Sequence, residues 1–290
     1  MEIAVISGKG GTGKSSISAA FATLNKKVVL ADCDVDAANL HILFDPTHEE
    51  EEIYISGELA VIDYDKCTNC GLCISYCRFD ALDYNDENLV EVDDIYCDGC
   101  QLCFRVCPEE AIEMVKNDKS RMYSGTFRNG KMVYGKLAPG EENSGKLVSR
   151  VREKAKEIAQ NHNLETIIID GPPGIGCAVI SSITGVDYVI VVTEPTISGL
   201  HDLKRTLEIT EKFSVKTRVI INKNDLNFQV SKEIENYCSS RNIPVIASLP
   251  FHPQVVEAMI NKKSIVEFAP NSLVAKQLEE AFISISQFVV

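Results

Sequence analysis

Gly8-Lys9-Gly10-Gly11-Thr12-Gly13-Lys14-Ser15 fits the pattern G-x-x-x-x-G-K-[ST]. The branched apolar run Ile3–Ile6 just before it reads as a strand, and Lys14–Leu24 just after it reads as a helix. A glycine-rich turn in that setting lets successive backbone N–H groups curl around phosphate oxygens, and the positive end of the helix dipole points at the same anion. Lys14 is placed for the terminal phosphates of a nucleotide and the Ser15 hydroxyl for Mg²⁺. Gly8, Gly10, Gly11, Thr12, Gly13, Lys14, Ser15 and Ser16 are the candidate nucleotide-binding residues, with Ser15 also a candidate metal ligand.

Outward from this loop, strand candidates Lys27–Asp32, Thr166–Asp170, Asp187–Thr193, Thr217–Asn222 and Pro244–Leu249 join Ile3–Ile6. All are apolar on both faces, as strands of a covered parallel sheet are. Helix candidates lie between them, at Gly145–Asn161, Gly199–Phe213, Val230–Arg241, Pro253–Asn261 and Ser272–Phe288. The alternation predicts an α/β fold, a doubly wound and mostly parallel sheet. With 45% apolar residues in 290, there is enough to bury a real core.

The alternation breaks between about Asp45 and Gly140. An acidic run, Glu49–Glu52, is followed by a repeat of period 30: Cys67-Thr-Asn-Cys70-Gly-Leu-Cys73-Ile-Ser-Tyr-Cys77 returns as Cys97-Asp-Gly-Cys100-Gln-Leu-Cys103-Phe-Arg-Val-Cys107. Met122–Arg128 and Lys131–Leu137 then flank Asn129-Gly130, which reads as a hairpin with the positive φ angles of a type I′ turn. The expected division is residues 1–52 and 119–290 for the sheet domain, hairpin included, and 53–118 for the insert. Charge follows the same division. Glu49–Asp118 holds 19 acidic and 4 basic residues, while the rest of the chain is nearly neutral. Such a balance disfavours nucleic acid, which needs a basic face, and suits steering toward a basic partner protein.

Each half of the repeat reads C-x₂-C-x₂-C-x₃-C and resembles the bacterial two-cluster ferredoxin run, in which the fourth cysteine ligates the other cluster. The resemblance implies one [4Fe–4S] cluster on Cys67, Cys70, Cys73 and Cys107, and a second on Cys97, Cys100, Cys103 and Cys77. Zinc is the competing metal, since Cys₄ sites also hold Zn²⁺, but three cysteines in C-x₂-C-x₂-C suit a cubane better than the separated pairs of zinc sites. Cys107 precedes Pro108, as the pattern expects; Cys77 precedes Arg78, a departure that leaves ligation in place and alters the local turn and charge.

The lysine at position 9 makes the phosphate loop resemble the deviant P-loop of the MinD/Mrp/nitrogenase-Fe-protein group of ATPases. That resemblance runs from Ile3 to about Pro250. It implies a homodimer in which Lys9 crosses the interface to the partner's nucleotide. Within Asp32-Cys33-Asp34-Val35-Asp36, Asp34 matches the residue that positions the attacking water, Asp36 is a weaker candidate, and Asp32 reads as a strand-end residue. Asp170-Gly171-Pro172-Pro173-Gly174 resembles the segment whose aspartate holds Mg²⁺ through a water. Asn222 matches an asparagine that pairs with adenine, and Pro250 either packs near the base or ends its strand. Asn222-Lys223-Asn224-Asp225 also fits Asn-Lys-x-Asp, whose aspartate reads guanine; the deviant loop favours ATP. Lys9, Lys14, Asp34 and Asp170 are thus the candidate catalytic residues.

Leu137-Ala138-Pro139-Gly140-Glu141-Glu142-Asn143-Ser144-Gly145-Lys146-Leu147-Val148 also resembles this group, its glycines and acidic pair suggesting a loop near the dimer face, with Ser144 as a helix N-cap. The nitrogenase Fe protein carries a bridging cluster on two cysteines per subunit. Cys177 matches one, but Asn143 replaces the other, so no such cluster is expected and Cys177, like Cys33 and Cys238, reads as a small packed residue. Ser272–Val290 offers only Lys276 against Glu279 and Glu280. Its apolar face is expected in the core, not on a membrane. His201 and His252 lack partners at ligand spacing. The N-terminus shows neither charged flank nor signal-length apolar run, and a cytoplasmic location is expected.

The leading functional reading is an ATPase whose nucleotide-driven dimerisation gates electron transfer through two clusters to an unidentified redox or metalloenzyme partner. The alternatives are an ATPase that carries or loads metal or clusters, and an electron carrier whose nucleotide acts as a switch without turnover.

Overall fold

The computed structural model describes residues 1–55, 57–141 and 144–286. Its elements, in chain order, are β1 (Glu2–Ser7), α1 (Lys14–Leu24), β2 (Val28–Asp32), α2 (Leu40–Phe44), β3 (Glu50–Tyr54), β4 (Gly57–Ile62), α3 (Leu72–Tyr76), β5 (Leu82–Tyr84), β6 (Val90–Val92), α4 (Leu102–Val106), β7 (Ile112–Asn117), β8 (Ser120–Phe127) and β9 (Gly130–Lys136). There follow α5 (Ser144–Asn161), β10 (Thr166–Pro173), α6 (Cys177–Ile183), β11 (Tyr188–Thr193), α7 (Ile197–Lys212), β12 (Lys216–Asn222), a 3-10 turn (Asn224–Leu226), α8 (Phe228–Ser240), β13 (Val245–Leu249), α9 (Pro253–Ile260), α10 (Ile265–Phe268) and α11 (Leu273–Ser286). Two compact units result: Met1–Glu51 with Met122–Gly135 and Gly145–Val290, and Glu52–Arg121 with Lys136–Ser144.

A nine-stranded sheet has the order β13-β12-β11-β1-β10-β2-β9-β8-β3, and every pair from β13 to β9 is parallel. The α/β fold with a mostly parallel sheet follows from the branched runs: Ile3 and Val5 join one buried cluster with α1, α10 and α11, while the alternate residues Ala4 and Ile6 are fully buried outside it. Phe21 of α1 meets Phe282 of α11 at 5.4 Å between ring centroids. The last helix is a core helix over its described length; the expected end at Phe288 lies outside the described residues. No helix among the described residues is long and apolar enough to cross a membrane.

Three local expectations need correction. Asn129-Gly130 is not a type I′ turn, because neither residue has positive φ. Gly130 starts β9, where a Cβ would lie 2.0 Å from the Val28 carbonyl oxygen, so it is close approach to β2 that requires glycine. Ser144 is the first residue of α5 and not its cap; Asn143 lies outside the described residues. Cys177 is exposed, not packed, because it opens α6 at the surface, whereas Cys33 and Cys238 are buried as expected.

The second unit is built from two interlocked halves. The period of 30 relates β4, α3 and β5 to β6, α4 and β7. The first strand of each half pairs with the last strand of the other: β4 with β7 and β5 with β6, both antiparallel. Backbone bonds repeat the exchange, Asp63 N donating to Ala111 O at 2.7 Å and Asp93 N to Ala81 O at 2.8 Å.

Candidate functional site

The phosphate loop leaves β1 at its carboxyl end, and the other functional segments leave β2, β10, β11, β12 and β13 at the same edge of the sheet. Ligands of open parallel sheets bind at that edge. Gly13 caps α1 at φ 88°, where a Cβ would come within 2.3 Å of Asn222 Nδ2. Lys14 is buried, its Nζ 3.0 Å from Asp170 Oδ1 and 3.5 Å from Asp34 Oδ2. Burial works against its charge, but Asp170 and Asp34 outweigh that and raise its pKa. Asp170 is fully buried and also accepts from Ser15 Oγ and Ser18 Oγ, each at 2.7 Å. Ser15 and Asp170 thus form one hard-oxygen pair, of the kind Mg²⁺ selects. Burial likewise raises the Asp34 carboxyl, against the pull of Lys14.

Asp32 is more than a strand end. It is fully buried beside Asp170, its register partner across β2 and β10. Its Oδ1 accepts from Asp34 N at 3.2 Å and its Oδ2 from Asn39 N and Leu40 N at 3.1 Å each. One carboxylate therefore closes the loop that carries Asp34. Burial, reinforced by Asp170, pushes its pKa up to about 7. Burial also drives the Cys33 thiol upward, so that side chain stays protonated. Asp36 is exposed.

Lys9 is bound within its own chain: Nζ lies 2.7 Å from Glu194 Oε1 and donates to Ser198 Oγ at 3.2 Å and Thr196 Oγ1 at 3.3 Å. Glu194 also bridges to Lys223, at 3.1 Å, and Lys223 donates to the Gly11 carbonyl at 3.0 Å. Against burial, these two lysines hold the Glu194 carboxyl below its ordinary pKa. Sequence reasoning missed Glu194, Thr196, Ser198 and Ser18. The signal was available for the first three, since Glu194-Pro195-Thr196 directly follows β11 at the functional edge.

A cavity of about 380 Å³ opens beside the loop, lined by Gly10, Gly11, Thr12, Gly13, Lys14, Ser15, Ser16, Asp34, Asn222 and Pro250, with an apolar wall that includes Val255 and Leu278. Asn222 Nδ2 donates to Thr12 O at 2.8 Å, and Asp225 Oδ1 accepts from Phe251 N at 2.7 Å. His252 caps α9 by accepting from Gln254 N, an ordinary structural role.

In the second unit the cysteines sort into two sets. Cys67, Cys70, Cys73 and Cys107 line one space; Cys77, Cys97, Cys100 and Cys103 line another. Each set takes three residues from one half and the fourth from the other, matching the strand exchange. Residue 71 and its counterpart 101 both cap the short helices in the left-handed region, at φ 71° and φ 65°. Burial raises the Cys73 thiol and takes that of Cys103 to about 11. Among the described residues, no three His, Cys, Asp or Glu side chains converge closely enough for one metal ion.

A parallel sheet with a glycine-rich phosphate loop, a buried lysine and an acidic strand end defines a P-loop nucleotide-binding protein. The chain belongs to the CobQ/CobB/MinD/ParA nucleotide binding domain family, whose signature matches residues 3–265. Its fold is that of a MinD/ParA-type P-loop ATPase. The structure of the cell division ATPase MinD of Pyrococcus furiosus superposes with a TM-score of 0.59, at 17% identity over 99% of each chain. The septum site-determining protein MinD of Pyrococcus horikoshii, solved with Mg-ADP, gives 0.58 at 18% identity over 99% of this chain and 96% of that one. An uncharacterized protein of Methanocaldococcus jannaschii, MJ0578, is 35% identical over 295 residues, all of this chain and 98% of that protein. An iron-sulfur cluster carrier protein of Rickettsia conorii is 29% identical over 117 residues, 39% of this chain and 36% of that protein.

Proposed function

We propose that this chain is an ATP-hydrolysing iron–sulfur protein in which nucleotide-driven pairing of two copies gates electron transfer to a redox or metalloenzyme partner. The observation that carries the reading is the sorting of eight cysteines into two four-thiol sets, each drawn from both halves of the repeat. Soft thiolates ringing a space, and not meeting at a point, fit a polynuclear cluster better than a single ion. Two [4Fe–4S] clusters held there would supply one-electron storage.

In the nucleotide site, Lys14 would turn from Asp170 and Asp34 toward the β- and γ-phosphates of ATP. Ser15 Oγ, released from Asp170, would bind the Mg²⁺ that arrives with the nucleotide, and Asp170 would hold one of its waters. Asp34, freed of Lys14, would orient the attacking water, with Asp32 fixing the loop beneath it. Lys9 must leave Glu194 before it can reach a second copy's nucleotide. Asn222 and Pro250 would bound the base. The chain enters the second unit soon after the loop bearing Asp34, which is the route by which nucleotide state would reach the clusters. The MinD of Pyrococcus horikoshii with Mg-ADP supports the nucleotide part.

The test compares ATP turnover in anaerobically purified protein, cluster-loaded and stripped, with and without dithionite. Different rates are expected, and electron delivery should depend on nucleotide. Equal rates together with nucleotide-independent delivery would sink the coupling. A second reading, a cluster carrier, draws on the partial similarity to the Rickettsia conorii carrier. It requires iron to leave for an apo-acceptor protein, whereas the first reading requires iron to stay.

A further inference from the structure

The two cysteine sets match in burial and in lining charge. Each has one exposed member (Cys70, Cys100), one 9% exposed (Cys73, Cys103) and two of intermediate exposure. Each space is lined by one carboxylate, Glu109 or Asp98. The backbone after the fourth cysteine begins and ends alike. Cys77 and Cys107 are extended, at φ −68°, ψ 122° and φ −70°, ψ 114°. Asp80 and Glu110 are left-handed, at φ 52° and φ 50°.

Between those fixed points the halves diverge. In Cys107-Pro108-Glu109-Glu110-Ala111 the Glu110 amide donates to the Cys107 carbonyl at 3.3 Å, and the Ala111 amide donates to Cys107 Sγ at 3.4 Å. In Cys77-Arg78-Phe79-Asp80-Ala81 neither bond is made among the described residues. Proline sets the φ of the second turn residue in advance, so the Pro108 turn closes and brings an amide onto sulfur, while the Arg78 turn stays open.

We infer that the two cluster sites are unequal: the site completed by Cys107 has the higher reduction potential, and Arg78, standing where the other half has Pro108, sets the gap. This rests on the cluster reading above. Reduction adds negative charge that spreads onto the ligand sulfurs, and an N–H donor on Sγ stabilises it. The Arg78 guanidinium would act the other way, raising the Cys77 site, but it is exposed and its charge is screened. The shorter N–H contact on Cys107 Sγ, at 3.4 Å, outweighs both this and the longer opposing contact of Cys67 Sγ with Asn69 Oδ1 at 3.8 Å, and so decides the order. The first electron from a one-electron reductant such as dithionite settles at the Cys107 site.

Redox titration of the full-length protein, followed by EPR under anaerobic conditions, tests this. Two midpoints are expected. Cys100→Ala should leave only the higher and Cys70→Ala only the lower. Arg78→Pro should raise the lower midpoint and close most of the gap; Cys77 is already extended, as a residue before proline must be. Arg78→Gln, which removes the charge without remaking the turn, should leave the gap unchanged or wider. Coincident midpoints, the reverse assignment, or an Arg78→Pro variant whose midpoint falls would overturn the inference. Protein without iron would overturn the cluster reading itself, a result that metal analysis distinguishes before any titration.

Discussion

The two units handle buried polar groups in opposite ways. In the nucleotide unit, Asp32 and Asp170 lie side by side at zero exposure and are answered from inside the protein, by Lys14, two serine hydroxyls and three backbone amides. In the cysteine-rich unit, buried Cys73 and Cys103 belong to a small apolar cluster with Ala60, Ile62, Leu82, Val90 and Ile112, and other cysteines pack around it. The first unit has a large apolar core of its own. The second has roughly 80 residues, a size at which a core alone rarely supplies more than about 3–5 kcal/mol. One unit thus folds around its own charged side chains, whereas the other, on the proposed cluster reading, would draw much of its stability from bound metal.

Removing iron should therefore have the largest effect, and on one unit only. After chelation, amide exchange across β4 to β7 should approach unfolded rates, while the affinity for Mg-ATP changes less than about twofold. Exchange protection that survives chelation would break the contrast.

Lys14→Ala attacks the other side. Hydrolysis should fall by about 10²–10³, and the variant should lose about 3–5 kcal/mol of stability, because the buried Asp170 carboxylate loses its counter-charge. Iron content should be unchanged. Loss of iron along with activity would show that the units do not fold separately.

A smaller effect is expected from Gly13→Ala. At φ 88° an alanine costs about 1–2 kcal/mol, and its Cβ would also push Asn222 aside. A lowered melting temperature with weakened nucleotide binding is the expected pair of results; an unchanged melting temperature would show that the loop adapts.

The pH dependence is the finest test. Burial and the neighbouring Asp170 carboxylate push the folded-state Asp32 carboxyl up to about 7, against about 3.9 for a free side chain, so the native state holds more protons between those values. Stability of the nucleotide-free protein should fall as pH rises from about 4 to about 7 and level off above. Asp34, also raised, adds in the same sense. Asp32→Asn should flatten the slope measured by denaturant titration; an unaltered slope would place the proton elsewhere.

How much the sequence disclosed differs between the units for the same physical reason. The loop from Gly8 to Ser15, Asp34, Asp170 and the cysteine repeat were legible because backbone curvature and ligand chemistry demand fixed residues at fixed spacing. Glu194, Thr196 and Ser198 were legible only as the segment that follows β11; their tie to Lys9 was not, since Lys9 is nearly two hundred residues away and only the strand order brings them together. The small strands β5 and β6 were hidden because three-residue strands carry no periodicity. Cys177 and the Asn129-Gly130 turn were misread because burial and φ are set there by neighbouring elements, not by the residues themselves.

Metal and labile sulfide analysis of protein purified without oxygen, on wild type and on Lys14→Ala side by side, tests the account most directly. It predicts about eight irons and eight sulfides per chain in both, with Mg-ATP hydrolysis in the wild type alone. Zinc in place of iron, or a wild-type protein that never turns over ATP, would contradict it.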